Sequence, residues 1–254
     1  MIALGFLASL LAGLCTAVGA LPVLAAWRIS PRRQDVMLGF AAGVMLAASA
    51  FSLIVPGLDI AGERYGELGA ALVVSVGIML GALTLWLVNA YVPHEHFILG
   101  REGGDASSLR RIWLFVIAIT LHNFPEGMAV GVGYGTDDIG RANALAIGIG
   151  LQNLPEGLAV AMALTGQGYP RWQAFVVALM TGLVEPIGGL LGVTAVTISQ
   201  PLLPWALAFA AGAMIFVISS EIIPETHRKG AKIESTFGLM IGFVIMMTLD
   251  VVLG

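Results

Sequence analysis

The chain has 254 residues, 58% hydrophobic and 11% charged, with a mean hydropathy of +0.93. A soluble domain carries roughly 25% charged residues, so composition alone places this chain in a membrane. The net charge of −4 comes with no basic stripe of the kind that holds nucleic acid, and the single cysteine, Cys15, excludes an internal disulfide framework and a thiolate metal cluster.

A membrane-spanning helix needs about 20 mostly apolar residues. Eight stretches qualify, at about 3–27, 37–55, 69–92, 112–134, 142–164, 172–195, 204–222 and 235–253, and together they predict one all-α transmembrane domain over residues 1–254. The first stretch has no basic segment ahead of it, so it reads as a retained span and not as a cleaved signal peptide. Cys15, inside it, reads as a small apolar residue.

Charge sits in the connections and sets the orientation. Arg28, Arg32 and Arg33 follow the first span; Arg101, Arg110 and Arg111 precede the fourth; Arg171 follows the fifth; Arg228, Lys229 and Lys232 follow the seventh. Those are ten of the twelve lysines and arginines. The opposite side has Arg64 and Arg141 among Asp59, Glu63, Glu67, Asp137 and Asp138. Both termini are therefore expected to face away from the cytoplasm.

The sequence also repeats itself. "FAAGVM" at 40–45 returns as "FAAGAM" at 209–214, each copy leading to a proline, Pro56 and Pro224. "HNFPEG" at 122–127 returns as "QNLPEG" at 152–157. The paired spans, second with seventh and fourth with fifth, run in opposite directions. Antiparallel repeats with interrupted helices at mid-membrane are a signature of secondary transporters. The expected layout is three spans, a central pair, then three more.

Glu126, Glu156 and Glu185 lie within these spans with no lysine or arginine nearby. An acidic side chain at a span centre costs about 2.5–3.5 kcal/mol, so the three together cost roughly 7–10 kcal/mol unless protonated or visited by a cation. Helical spacing favours the cation. His122 and Glu126 are four residues apart and share a face, Asn123 and Glu126 are three apart, and Gln152, Asn153 and Glu156 repeat the pattern. Pro125 and Pro155 remove amides that would have bonded the carbonyls of Leu121 and Leu151, and such opened backbone is tolerated only around a cavity. Glu185 likewise precedes Pro186. Oxygen-rich ligation with one imidazole and no thiolate suits Zn²⁺, Cd²⁺, Fe²⁺, Mn²⁺ or Co²⁺. Two glutamates on facing helices can each bridge a pair of ions.

These motifs resemble the ZIP (Zrt/Irt-like protein) family of divalent-metal transporters, in its bacterial branch. The resemblance covers essentially the whole chain, with "VEP" at 184–186 and "SSEIIPETH" at 219–227 adding to the paired motifs. It implies an inner-membrane, multi-pass transporter without a cofactor. Its substrate would be Zn²⁺ or Cd²⁺, carried inward to the cytoplasm at two ion sites. His122, Glu126, Gln152 and Glu156 would form a first site. Asn123, Glu126, Asn153, Glu156 and Glu185 would form a second, with Glu126 and Glu156 bridging. A unit of spans 1, 4, 5 and 6 would slide against the others, with the small residues of "FAAGxM" at that boundary.

Two positions depart from the family pattern: many members have histidine in the place of Gln152 and some have aspartate in the place of Asn153, departures that point to a broad metal preference. The family's histidine-rich cytoplasmic loop is reduced to His94–His96, read as a solvated loop with a low-affinity exit site as the alternative. Glu221 and His227 are weaker exit-path candidates, and Asp250 has no assigned role. Expected partners are the metal ions and the bilayer; the sequence leaves the oligomeric state open, with a homodimer one assembly it allows.

Two other classes of protein bury acidic residues in a membrane. An intramembrane metalloprotease needs H-E-x-x-H, and here Asn123 occupies the place of the general base. A proton- or sodium-coupled carrier of an organic solute would need aromatic or basic groups at mid-membrane, and spans 4–6 offer none.

Overall fold

At membrane depth every backbone N–H and C=O must find its partner within the chain, which favours continuous helix. The computed structural model describes residues 1–25, 29–91, 94–96, 100–102, 111–136, 138–166, 168–227 and 232–253. The orientation argument's Arg28, Arg110, Arg228, Lys229 and Asp137 lie outside them, as do the side chains of His94, His96 and His227.

Helix α1 runs over Ile2–Leu24. Helix α2, Pro31–Ala47, starts at Ser30, whose hydroxyl accepts from the Arg33 amide; Pro31 occupies the first turn, where a missing N–H costs nothing. A π-helical turn over Ala48–Ile54 follows, then α3 over Val55–Tyr91. The helix does not stop near residue 55, as expected from the acidic residues at 59–67. It continues to a bend at Gly66, whose φ of 71° suits a residue without Cβ. The π turn accounts for the continuity. Pro56 cannot bond the carbonyl four residues back, and the wider turn just before it is a known way of absorbing that mismatch.

The second copy behaves the same way. Helix α8, Leu203–Val217, passes into a π turn at Ile218–Ile222 and then α9, Ile223–His227, which contains Pro224. The "FAAG" strings thus share a local structure as well as letters. Their glycines, however, do not lie where expected. A Cβ on Gly43 would strike the backbone at Leu239, and one on Gly212 the backbone at Ile78. They close contacts with the last helix, α10 (Lys232–Leu253), and with α3, and not with the central helices.

Between these lie α4 (Arg111–Gly133), α5 (Ile139–Gly166), α6 (Arg171–Gly182) and α7 (Glu185–Ile198). Pro125 and Pro155 are carried inside continuous helices. The true interruption is in the sixth expected span, at Leu183 and Val184, so that Glu185 and Pro186 begin a new helix. The segment around residue 95 forms a two-strand hairpin, β1 (His94–His96) with β2 (Gly100–Glu102), where a loop was expected.

Packing sorts the helices. α1 lies along α5, α6 and α7, and α4 along α7; α2 pairs with α10, and α3 with α8. α5 touches both α2 and α10. Six stretches among the described residues are long and apolar enough to cross a membrane: Ile2–Leu24, Arg32–Tyr91, Ile139–Gly166, Arg171–Ile198, Gln200–Ile222 and Lys232–Leu253. Arg32–Tyr91 spans 60 residues and is the stretch that turns at Gly66. Leu72, Met79, Trp86, Ile241 and Val251 are all exposed on the outside, an apolar exterior suited to lipid and not to water.

Candidate metal centre

The seven predicted site residues come from three elements. His122, Asn123 and Glu126 stand on α4, Gln152, Asn153 and Glu156 on α5, and Glu185 opens α7. All seven are buried. Glu126 lies within electrostatic range of Glu156 and Glu185, and Glu156 within range of His122. Asn153 Nδ2 donates to Glu185 Oε1 at 2.7 Å and to the carbonyl of Ala12 at 2.8 Å. That amide ties α5 to α7 and α1 at once.

What these residues lack is as informative. Both amide atoms of Asn123 and of Gln152, both carboxylate oxygens of Glu126, Asn153 Oδ1, one oxygen of Glu156 and one of Glu185 are buried without a hydrogen-bond partner. Gln152 approaches Glu126 without a well-formed bond. A buried polar atom left unpaired costs about 1–3 kcal/mol, and native proteins keep few of them without a reason. Of these nine atoms on six residues, seven are oxygens able to face a cation, and two are amide nitrogens that can only donate. Counting only His, Cys, Asp and Glu, the described residues hold no group of three near enough to bind a metal ion. A cation held in this conformation would need amide oxygens as well as carboxylates.

The closing glycine of each motif has a packing role. A Cβ on Gly127 would collide with the Glu185 carbonyl on α7, and one on Gly157 with the Thr16 carbonyl on α1. In "PEG", the glutamate faces the site while the glycine lets the neighbouring backbone approach. Replacing Gly157 by leucine is expected to cost at least about 1–3 kcal/mol, the usual penalty for overpacking. Gly166→Ala, where the added methyl meets nothing within 4 Å, should be neutral. Melting curves and the monodisperse fraction of the two purified variants check this.

Residues that the sequence did not join to the site now adjoin it. The Glu221 carboxylate forms a buried ion-pair contact with His122 Nε2 and accepts from Asn89 Nδ2 at 2.7 Å. Glu221 was expected only along an exit route, and Asn89 gave no signal beyond being an amide in an apolar run. In the π turn that follows α2, Ser52 donates to Asp250 at 2.6 Å. Ser52 also lines a cavity of about 340 Å³ whose wall includes Asp59, Glu63, Asp138 and Arg141.

Comparison with known proteins agrees with this chemistry. The family profile described as "ZIP Zinc transporter" matches residues 93–250. The zinc transporter GufA of Myxococcus xanthus is 47% identical over 251 residues, covering 98% of this chain and 99% of that protein. The zinc transporter ZIPB of Bordetella bronchiseptica is 51% identical over 240 residues, 94% of this chain and 78% of its own. Human zinc transporter ZIP11 is 37% identical, with 94% of each covered.

Proposed function

The chain belongs to the ZIP family of zinc transporters, and from that premise we propose that it carries zinc, and with it cadmium and other divalent transition ions, into the cytoplasm through a two-ion centre. The observation that carries this reading is the set of seven unpaired oxygens buried where α4, α5 and α7 meet. His122, Glu126, Gln152 and Glu156 form the first site; Asn123, Glu126, Asn153, Glu156 and Glu185 form the second. Glu126 and Glu156 belong to both.

Eight spans in a 3+2+3 order follow if the 60-residue stretch is counted as two spans meeting at Gly66, α6–α7 as one broken span, and α4 is added to the six. With both termini outside, the cavity lined by Asp59, Glu63 and Asp138 is the outer mouth. Metal leaves inward past His122 to Glu221 and Asn89. α1, α4, α5 and α6–α7 move together against the α2–α10 and α3–α8 pairs, a division supported by which helices pack on which. A carrier of organic solutes is not favoured, because the cluster offers carboxylates and amides with no lysine or arginine to hold such a solute.

Uptake of a panel of divalent ions into proteoliposomes, with and without an imposed pH gradient, tests the function. Zinc uptake indistinguishable from that of empty vesicles overturns it. Orientation has its own check. Single cysteines in a Cys15→Ala background are expected to label from outside at residues 59–67 and only from the cytoplasm at 103–109. Reversed labelling sinks the proposed topology whatever the transport result.

A further inference from the structure

A second cavity, of about 440 Å³, opens on the flank of the bundle between α2, α5 and α10. Its wall is apolar and is built by Val36, Met37 and Phe40 of α2, Leu154 and Pro155 of α5, and Ile241 of α10. At 1.5 Å per residue, these α2 residues lie roughly 8–14 Å along the helix from its start, and Ile241 lies about 14 Å into α10. That is acyl-chain depth beneath the headgroups of the nearer leaflet.

Charge at the rim points to the kind of lipid. Arg33 stands one turn before Val36 and Met37 on the same face of α2. It is exposed, and its side chain has no partner among the described residues. The adjacent Arg32 is held by Glu234 at the start of α10. Lys232 is also exposed at that end. Among the described residues, these three cations face two carboxylates, Glu234 and the buried Asp35, which leaves one surplus positive charge at the helix starts that border the apolar slot. A water-soluble anion would leave the slot unfilled, and a zwitterionic lipid would bring no net charge to the rim.

We propose that this groove is a binding site for one anionic phospholipid, its phosphate on Arg33 and one acyl chain laid along α2 against Leu154 and Pro155. The site lies behind the α5 segment that presents Asn153 and Glu156, so its occupant sets how closely α5 packs on α2 and α10. The inference needs the chain to be embedded in a bilayer but does not depend on the metal path.

Binding is measured by native mass spectrometry of delipidated protein titrated with phosphatidylglycerol or phosphatidylcholine of identical chains. Phosphatidylglycerol is expected to bind more tightly. Arg33→Gln should lose about fivefold of that preference, the effect of one basic residue at an anionic surface, with phosphatidylcholine, whose ammonium offsets its phosphate, weakened less. Ile241→Trp, which fills the groove, should weaken both lipids, and Val36→Phe is the second groove-filling variant should the first fold poorly. Glycerol phosphate without chains should not compete. Equal affinity for the two lipids in the unmodified protein, full preference in Arg33→Gln, or unaltered binding in a folded groove-filled variant overturns the proposal. None of these readouts involves metal uptake, so a failed transporter reading would not be mistaken for a failed lipid site.

Discussion

Glu126→Ala and Glu156→Ala proteins are expected to fold, to insert and to move no metal above the background of empty vesicles. Each glutamate belongs to both proposed ion sites, so either truncation removes one ligand from each. Altering a group that only supports a metal ligand already costs roughly 10–100-fold, and losing a shared ligand should cost more. Folding should survive for a specific reason. Both Glu126 oxygens and one oxygen of Glu156 are buried and unpaired, so deleting them removes a desolvation penalty and breaks few contacts. The variants should therefore express at least as well as the parent. Gln152→Ala makes the graded control, because a neutral amide is the weakest donor of its set and its loss should slow uptake without stopping it. Rates from ⁶⁵Zn²⁺ uptake, normalised to reconstituted protein, decide the matter. Parental uptake by a well-folded Glu126→Ala protein would remove the central claim.

The parts of this centre that were legible from sequence were those in which residue type contradicts its surroundings. A glutamate, an amide and a proline inside an apolar run are conspicuous, so six of the seven proposed site residues could be placed on two neighbouring helices by i, i+3 and i+4 spacing alone. Glu185 followed from the same contrast. The carbonyl of Ala12 that Asn153 holds gave no such signal, since backbone ligands carry no residue identity. Contact between Glu221 and His122 was equally hidden, because it depends on how the π turn after α8 lies against α4. Helix limits failed for another reason. Asp59, Glu63 and Glu67 read as a charged connection, yet charge at the water boundary does not end a helix; Gly66 does. The prolines misled in the opposite sense, since Pro125 and Pro155 sit within continuous helices while the break falls just before Pro186. A missing N–H marks where a helix can open, and the packing of neighbours decides whether it does.

Glu185→Gln is expected to leave one ion bound where the parent binds two. The argument is one of charge. Ionised Glu126, Glu156 and Glu185 together carry −3, so one divalent ion leaves the centre at −1 and two leave it at +1. Each state lies one unit from neutral, which a protein interior can accommodate at either occupancy. With glutamine at 185 the ligand charge falls to −2. One ion then gives neutrality, while two leave +2 without counter-charge, at a cost of several kcal/mol for each uncompensated ion. Geometry should be kept, because the amide retains an oxygen where Glu185 Oε1 accepts from Asn153. The loss can therefore be attributed to charge and not to a collapsed site. The remaining ion should sit among His122, Glu126, Gln152 and Glu156, and uptake should continue at an altered rate. Metal content of the purified variant at saturating Cd²⁺, measured beside uptake, gives the answer. Two ions still bound, or inactivity as complete as that of Glu126→Ala, would show that the sites are not divided as proposed.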